Sequence, residues 1–474
     1  MQINSVFRAS FWSIGTEFAI KVITPVSFLV LTKYLSPSDF GIIAVATMII
    51  GFTYVIADIG VSRIIIQLDE SNPEFDKLLN LGFLLNITIG FILSILCFTF
   101  SKSIAEIFRI PESVKVIQIL SPQVLLTSLV SIHHALFRKQ LNFKKIFFIR
   151  ITTSLIPAIV SIILVIYGFG FISIAYAQLI GSISVLLLTL YLSNWKPNFQ
   201  IELRLFKHIY RKSVWSSLEQ IFMWLPIVTD TYIISTYLGA NDLGLYSTSR
   251  NLFTSAIALT LGALLPVLFS SYSKLNNNKK QLLDFVYKSQ YIIFFLATLM
   301  GVFVFVNFKY FEFLIFGNEW SGVTPIISTV FLMLSITYFF MPMNEAVQSL
   351  GGFKTSSSNT IINFLITIPF LFYSASHGLV FYVIVRFAFL YLKLPVIYYY
   401  LKKNLNISYS ILLKQNMNLL VFLLVNVCFK YCPLILINVA FLDVFILIFS
   451  TFILFYFEKN RILEIVTFVK KKSL

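Results

Sequence analysis

A small set of charged side chains lies inside apolar stretches of this sequence, where a charge is costly. At the centre of a membrane helix a charge costs about 2.5–3.5 kcal/mol, so charges found there usually face a cavity or a partner. Arg and Lys can hold phosphate or carboxylate oxygens, whereas acidic and His side chains can exchange a proton or a cation. The cationic binding candidates are Lys21, Arg250, Arg386 and Lys393. The coupling or gating candidates are Glu17, Asp230, His133, His134 and Glu345.

Spacing predicts how some of these charges combine. Glu17 and Lys21 are four apart and share a helix face. They form an intrahelical pair, or Lys21 faces a cavity while Glu17 positions it or takes part in proton or sodium coupling. Asp230 and Arg250 lie at similar depth on consecutive apolar runs and can pair with each other. Arg386 is then the cation available to a ligand at that depth.

The elements that must position these side chains are membrane-spanning helices. Hydrophobic residues make up 58% of the 474 residues and charged residues 12%, against about 25% charged residues in soluble domains. Apolar runs of about 20 residues, enough to cross a bilayer, recur along the chain. The predicted spans are 10–32, 41–66, 79–100, 115–136, 146–167, 171–193, 214–237, 244–270, 287–308, 324–346, 356–376, 379–401, 414–430 and 434–457. The predicted fold class is therefore an all-α polytopic membrane protein with about fourteen transmembrane helices.

The distribution of Lys and Arg predicts the orientation of the spans. Of the 36 basic residues, 26 fall on the side that holds both termini, 6 on the other side and 4 within spans. Both termini are therefore expected in the cytoplasm. This bias explains the net charge of +16. The expected partners of the basic residues are the anionic lipids of the inner leaflet. No nucleic acid partner is expected.

Three remaining groups are predicted near the cytoplasmic ends of spans. His133 and His134 lie at the end of span four, and Glu345 lies at the end of span ten. They form a gate or protonation site, or they are interfacial polar residues beside a loop. Asp58 and Arg63, five apart at the end of span two, are expected to form a local ion pair.

A phrase of the sequence recurs 203 residues later. Residues 34–42 read YLSPSDFGI, and residues 237–245 read YLGANDLGL. In each copy the aspartate is expected to cap the following helix and the glycine to permit a tight turn. The repeated phrase therefore indicates architecture and not an active site.

The repeat predicts a duplicated architecture. Each unit holds six spans, and an even number preserves orientation, so two parallel six-helix lobes around a central cavity follow. The predicted division is an N-lobe at 1–200, a C-lobe at 201–405, and two further helices with a cytoplasmic tail at 406–474. Two packed bundles can rock around a shared cavity, as in transporters that work by alternating access.

Several stretches resemble the polysaccharide-transporter branch of the MOP exporter superfamily, which includes Wzx-type flippases of O-antigen, capsule and exopolysaccharide synthesis. They are residues 36–41 (SPSDFG), 57–62 (ADIGVS), 65–67 (IIQ) and 134–143 (HALFRKQLNF). The resemblance implies a flippase of the bacterial inner membrane that moves undecaprenyl-diphosphate-linked oligosaccharides. It also implies a polysaccharide polymerase and chain-length machinery as candidate partners, and a groove for the lipid tail formed by spans thirteen and fourteen.

Alternatives remain open at this point. One is a drug antiporter of the same superfamily driven by Na⁺ or H⁺, for which a carboxylate-rich cavity would be typical. Another is an integral membrane polysaccharide polymerase or glycosyltransferase, for which a large external loop would be typical. The sequence contains no Walker loop, nucleophile elbow or Cys/His metal cluster. We therefore expect a non-enzyme without cofactor, metal site or catalytic residues, coupled to a gradient of H⁺ or Na⁺.

Overall fold

The computed structural model describes most of the chain. The described residues are 15–16, 19–20, 22–58, 61–67, 74–140, 142–198, 206–261, 264–320, 322–431, 447–459 and 461. They form helices joined by short turns, and no strand occurs among them. In chain order the helices are α1 (Val22–Leu31), α2 (Pro37–Asp58), α3 (Val61–Gln67), α4 (Phe75–Thr99), α5 (Ser101–Ile107), α6 (Ser113–Lys139), α7 (Phe143–Ile166), α8 (Ile172–Leu192), α9 (Phe206–Tyr237), α10 (Gly239–Thr260), α11 (Leu264–Lys274), α12 (Lys279–Ile315), α13 (Val323–Thr337), α14 (Met341–Ser349), α15 (Phe353–Ala375), α16 (Leu379–Ala388), α17 (Leu394–Leu405), α18 (Tyr409–Tyr431) and α19 (447–459).

The predicted all-α membrane fold is confirmed, but the count of fourteen spans is not. In the described part of the chain, ten helices are long and apolar enough to cross a membrane, and they correspond to predicted spans two to six and nine to thirteen. Span seven lies in α9, and span eight covers parts of α10 and α11; these helices are not among those ten. Only parts of spans one and fourteen belong to the described residues.

Two helices are longer than the spans predicted for them. The α9 helix begins at Phe206, before residue 214, the predicted start of span seven. No Gly or Pro interrupts residues 206–225, which explains this continuity. The α12 helix spans Lys279–Ile315 because the Asn278 side chain accepts from Gln281 N and starts the helix early.

The chain divides into two compact units, residues 1–247 and 248–474. In the first unit α6 is central and packs against α2, α3, α4 and α8. In the second unit α12 packs against α13, α14 and α18. The predicted lobes with limits near residues 200 and 405 stay a prediction.

A packing contact recurs in the two units. A Cβ at Gly90 of α4 would lie 2.2 Å from Ser128 Oγ of α6, and a Cβ at Gly301 of α12 would lie 2.1 Å from Ser335 Oγ of α13. These helices correspond to predicted spans three and four and to spans nine and ten. Small residues let helix backbones approach closely in a membrane protein. The duplication predicted from the sequence thus has a matching contact in each unit.

The repeated phrase forms a second close contact, within the first unit. A Cβ at Gly41 would lie 1.9 Å from Ala240 O, and a Cβ at Gly244 would lie 1.7 Å from Pro37 O. The contact is reciprocal. Gly41 meets Ala240, four positions before Gly244, and Gly244 meets Pro37, four positions before Gly41. Both glycines lie inside α2 and α10, so the prediction that they make tight turns is wrong. The left-handed backbone, with φ of 90°, belongs to Gly239.

The two copies of the phrase also cap their helices differently. In the first copy, Ser36 N and Ser36 Oγ both donate to Asp39 Oδ2 at 2.9 Å, and Asp39 N donates to Ser36 Oγ at 3.2 Å. This is a reciprocal capping box with Ser36 at the N-cap position. In the second copy Gly239 stands in place of the serine. There, burial raises the pKa of Asp242, and a hydrogen bond with the Asn241 side chain opposes the shift.

A buried carboxylate joins the last described helices to α12. Glu458 of α19 is 1% exposed and accepts from Tyr291 OH at 2.6 Å and from Asn418 Nδ2 at 2.7 Å. Arg461 Nη1 donates to Glu458 Oε2 at 3.3 Å and to Gln415 O at 2.6 Å. Because α12, α18 and α19 each contribute to this network, it fixes how the C-terminal helices pack on the second unit.

Removing the Glu458 carboxylate should destabilise the folded protein. We expect Glu458→Ala to cost about 3–5 kcal/mol, because Arg461 would keep a partly buried charge without its partner. The measurement is the Tm of the detergent-purified protein. Asp284→Ala is the control, since Asp284 is 52% exposed and pairs with Lys288 on a helix surface. That change should cost at most about 1 kcal/mol, and an equal fall in Tm for both variants would contradict the role of the Glu458 network.

A side chain larger than hydrogen at Gly41 or Gly244 should force the two copies of the repeated phrase apart. We expect Gly41→Ala and Gly244→Ala each to lower Tm by an amount equivalent to about 1–3 kcal/mol, since the added carbon would meet backbone atoms that cannot rotate away. Gly15→Ala is the control, because its Cβ would meet only Phe147, at 3.9 Å. A Tm equal to that of the control would show that the contact is not tight.

Candidate anion-binding site

The two positive charges predicted in span twelve lie at an interruption of that span. The α16 helix ends two residues after Arg386, and Phe389–Lys393 form a 3₁₀ turn before α17 begins. Arg386 and Lys393 are both half-buried. The structure therefore places two of the predicted cations at the two ends of one turn.

Two asparagines of α15 support this interruption. Asn363 Nδ2 donates to Phe389 O at 2.6 Å, and Asn359 Nδ2 donates to Lys393 O at 3.0 Å. The asparagines are four apart, so they project from one face of α15, and both are buried. A 3₁₀ turn has i→i+3 backbone hydrogen bonds of poorer geometry than those of an α-helix, and the asparagines add a side-chain donor to two of its carbonyls. The asparagine pair thus stabilises the turn that separates the cations.

Span ten is interrupted as well, next to span twelve. The α13 helix ends at Thr337 and α14 begins at Met341. Tyr391 OH donates to Ile336 O at 2.9 Å, and the Tyr391 ring meets the Phe340 ring edge-on at 5.7 Å between centroids. A side chain from one interruption therefore donates to a backbone carbonyl of the other, which also accepts from Phe339 N.

Both interruptions fall near the middle of their spans. Span ten covers Val323–Ser349 and span twelve covers Leu379–Leu405, each 27 residues long. A break at the centre of a spanning helix lies near the middle of the bilayer, where discontinuous helices of transporters commonly hold their substrates. The sequence predicted both spans as continuous, and the structure corrects this.

The chemistry of this site suits an anion. Arg386 offers a planar fork of donors for phosphate oxygens, and Lys393 offers a compact point charge. In the described part of the chain no carboxylate forms an ion pair with Lys393. A ligand that carries negative charge on several oxygens could accept hydrogen bonds from both side chains.

The other predicted charges at this depth lie in α9 and α10. Asp230 is 2% exposed and accepts a hydrogen bond from Tyr246 OH at 2.9 Å. Arg250 is half-buried on α10. Asp230 belongs to the first compact unit and Arg250 to the second, so their pairing stays a prediction. Sequence spacing did not indicate the tyrosine as a partner of the carboxylate.

The two histidines of span four join α6 to α8 and the segment that follows it. His133 Nδ1 lies 2.7 Å from Ser193 Oγ, and His134 Nε2 lies 3.2 Å from Thr189 Oγ1. The His133 ring also packs against the Trp195 ring at 5.1 Å. These contacts are those of structural polar residues, the second alternative from the sequence, and the gating role stays a prediction.

The remaining candidates are not brought to the cation pair by any described contact. Glu345 is half-buried on α14, and its charge acts on Tyr272, whose hydroxyl lies 2.6 Å from Ser289 Oγ. Glu17 and Lys21 lie outside the described residues, so their pairing and their place in a cavity stay predictions.

Three residues of the site were missed by sequence reasoning: Asn359, Asn363 and Tyr391. The available signal was weak. Two asparagines four apart inside an apolar span indicate a polar helix face, but they do not identify which neighbour needs a donor. The hydroxyl of a single tyrosine in an aromatic-rich span carries even less information.

Solved structures with this arrangement of helices define the class of protein. The fold matches that of the lipid II flippase MurJ in an inward closed conformation, with a TM-score of 0.73, 19% identity, and coverage of 95% of this chain and 99% of the other. An inward-facing multidrug resistance MATE transporter of the MOP superfamily matches with a TM-score of 0.58 and 16% identity over 84% of this chain and 94% of its own. The chain thus has a multi-pass membrane transporter fold.

Sequence comparison then identifies the family. The family described as polysaccharide biosynthesis protein matches residues 30–325, and the chain belongs to it. The succinoglycan biosynthesis transport protein ExoT of Rhizobium meliloti is 24% identical over 70% of this chain and 67% of its own length. The lipopolysaccharide biosynthesis protein WzxC of Escherichia coli is 23% identical over 67% of this chain and 64% of its own length. The resemblance to polysaccharide transporters and the expectation of a non-enzyme are confirmed.

Loss of the cation pair should impair polysaccharide formation without unfolding the protein. We expect Arg386→Ala and Lys393→Ala each to reduce surface polysaccharide about tenfold or more, because a charge-assisted contact contributes about 1.5–3 kcal/mol. The measurement is surface polysaccharide in a deletion strain that carries each variant, with membrane protein levels and gel-filtration profiles alongside.

Lys402→Ala is the matched control for this experiment. Lys402 is exposed on α17 and lies over the Tyr398 ring at 5.9 Å. The Lys402→Ala variant therefore removes one positive charge from the same span, as Lys393→Ala does, but at a position away from the interruption. We expect it to leave polysaccharide unchanged. Full polysaccharide from an Arg386→Ala/Lys393→Ala double variant would rule out the cationic site.

Proposed function

We propose that this protein is a flippase for undecaprenyl-diphosphate-linked oligosaccharide repeat units. It moves them from the inner to the outer leaflet of the bacterial cytoplasmic membrane by alternating access, with both termini in the cytoplasm. The observation that carries the proposal is the Arg386 and Lys393 pair at an interrupted span in a member of the polysaccharide biosynthesis family. The diphosphate supplies the multiple anionic oxygens that such a pair needs.

The remaining charges extend this proposal. Lys21 and Arg250 join the cation pair in lining the cavity, while the sugars occupy its water-filled part and the polyprenyl tail stays in lipid. The two six-span lobes, 1–200 and 201–405, rock around the cavity, and the helices of 406–474 contribute a groove for the tail. A gradient of H⁺ or Na⁺ resets the cycle, with Glu17, Asp230, His133, His134 and Glu345 as candidates for coupling or gating.

The names of relatives support the substrate class. One relative is named for succinoglycan transport, one for lipopolysaccharide biosynthesis, and TuaB of Bacillus subtilis for teichuronic acid biosynthesis. These glycans differ in their sugars, so the shared feature that fits one family is the lipid carrier and its phosphates. A polysaccharide polymerase and its chain-length machinery are the partners expected to receive the flipped unit.

The decisive experiment analyses a deletion strain. Its lipid-linked saccharides, the leaflet they occupy and its surface polysaccharide are measured together. We expect complete repeat units to accumulate on the inner leaflet and surface polymer to be absent, because assembly continues when translocation stops. Restoration of polymer by the wild-type gene is the control.

Two other results would contradict the flippase proposal. Single repeat units on the outer leaflet would mean that flipping is intact and polymerisation has failed, so the protein would act with the polymerase. Unchanged lipids and polymer would instead favour a small-molecule antiporter of the same superfamily.

A further inference from the structure

The turn between α5 and α6 reaches the C-terminal end of α9, within the first compact unit. Arg109 Nη1 donates to Thr236 O at 3.3 Å, and the Phe108 ring meets the Tyr232 ring edge-on at 6.0 Å between centroids. Thr236 lies in the last turn of α9, where the carbonyls of a helix have no partner further along it. The guanidinium therefore donates to a helix end at which the helix dipole also favours a positive charge.

Arg109 has a backbone conformation that glycine usually adopts. Its φ is 53°, and in the described part of the chain Asn406 is the other non-glycine residue with a positive φ. Arg109 N donates to Glu106 O at 3.1 Å, and Ile110 N donates to Ala105 O, also at 3.1 Å. These are the two hydrogen bonds of a Schellman motif at the end of α5, with Arg109 at the position where glycine is preferred.

The residue type at this position indicates a role for its side chain. A β-carbon is strained in the left-handed region, whereas glycine is not. The turn alone would therefore be better served by glycine. Residues kept in such a region are commonly held there by function and by the surrounding structure. The hydrogen bond from Arg109 to Thr236 O is the contact that glycine could not make.

This hydrogen bond lies close to the reciprocal glycine contact. Thr236 is four residues before Ala240, whose backbone meets Gly41. Two separate contacts thus join α2 and the turn after α5 to the consecutive helices α9 and α10. In the predicted division into lobes 1–200 and 201–405, both contacts cross from the N-lobe to the C-lobe. The predicted topology places them at the outer side of the membrane.

The two contacts are suited to opening and closing. Arg109 is exposed, so water can replace the carbonyl as its partner, and the contact can break without leaving a buried charge. The glycines have no side chains that interlock, so their helices can separate without any change of rotamer. Of these two contacts, the hydrogen bond from Arg109 is the one that a single side chain controls.

We propose that Arg109 is a latch that holds the outer ends of the two predicted lobes together. Its hydrogen bond to Thr236 O breaks when the outer side opens, and its strength sets the fraction of molecules that are open there. This inference rests on the alternating access of the proposed function, in which the lobes separate at that side. Arg109 is thus a positioning residue, which acts on transport through the lobes.

A distance measurement between the outer ends of the lobes tests the latch. Spin labels are attached at Tyr34→Cys and Tyr237→Cys in the purified full-length protein. These are equivalent positions of the repeat, and each tyrosine is 56% exposed. The native Cys97, Cys428 and Cys432 are replaced by alanine. Double electron–electron resonance then gives the populations with short and with long distances between the labels, and the short distance should dominate with Arg109 in place.

Arg109→Gly separates loss of the latch from loss of the turn. The variant removes the guanidinium but supplies the residue that the left-handed position prefers. We expect the ratio of long to short distances to rise about fivefold, the effect of losing one exposed contact between a cation and a helix end. Arg109→Asn should give the same rise, because asparagine also tolerates this backbone. Arg109→Lys should give a smaller rise, since it keeps the positive charge.

Lys102→Ala is the matched control. Lys102 is exposed on α5, so the change removes one positive charge from the same outer segment. It should leave the distances unchanged. Unchanged distances in Arg109→Gly and Arg109→Asn would overturn the latch, and so would an equal shift in Lys102→Ala. Circular dichroism reports folding, and loss of folding in both Arg109 variants would mean that the side chain is needed for the fold and not for opening.

The latch and the flippase proposal fail in different experiments. Longer distances in Arg109→Gly without trapped lipid-linked saccharides in the deletion strain would retain the latch and reject the flippase. Trapped saccharides with unchanged distances would retain the flippase and reject the latch.

Discussion

Satisfaction of backbone hydrogen bonds in an apolar medium is the constraint on which the rest of this structure depends. Each unsatisfied backbone group in the bilayer costs several kcal/mol, so a spanning helix can be interrupted only where side chains replace the missing partners. Asn359 and Asn363 add side-chain donors to two carbonyls of the turn in span twelve, and Tyr391 adds one to Ile336 O, which also accepts from Phe339 N. These contacts support the two interruptions and join one to the other. Arg386 and Lys393 therefore lie where the backbone of their span changes from α to 3₁₀ geometry.

The backbone hydrogen bonding of the spanning helices also differs between the two predicted repeats. Spans four and six of the first repeat are the unbroken helices α6 and α8, whereas their counterparts, spans ten and twelve, are both interrupted. The glycine–serine contact is nevertheless kept in both units, at Gly90 and at Gly301. On the predicted duplication, the packing between these neighbouring helices is kept in both halves. The halves differ at the two interruptions, which is where the candidate binding site lies.

The sequence predicted the helical membrane fold and ten of the spans, because apolar run length reports these directly. It also placed Arg386 and Lys393 in one predicted span, as two of four candidate cavity cations. It did not predict the interruptions, although Pro342 and Pro395 stand in the first turns of α14 and α17, positions where proline ends one helix and begins the next. The contacts that support the turn come from another helix and could not be read from the sequence. Gly41 was misinterpreted for a similar reason. A glycine in a helix and a glycine in a turn look alike until the approaching backbone, here Ala240, is known.

On the proposed function, the membrane potential contributes to export of the diphosphate. A diphosphate carries negative charge outward, and each elementary charge that crosses 100 mV contributes about 2.3 kcal/mol. This passage is favoured because the cytoplasmic side is negative. Tight binding at Arg386 and Lys393 would oppose release of the ligand outside, so a transport site built from two cations has to hold the diphosphate weakly enough to exchange it.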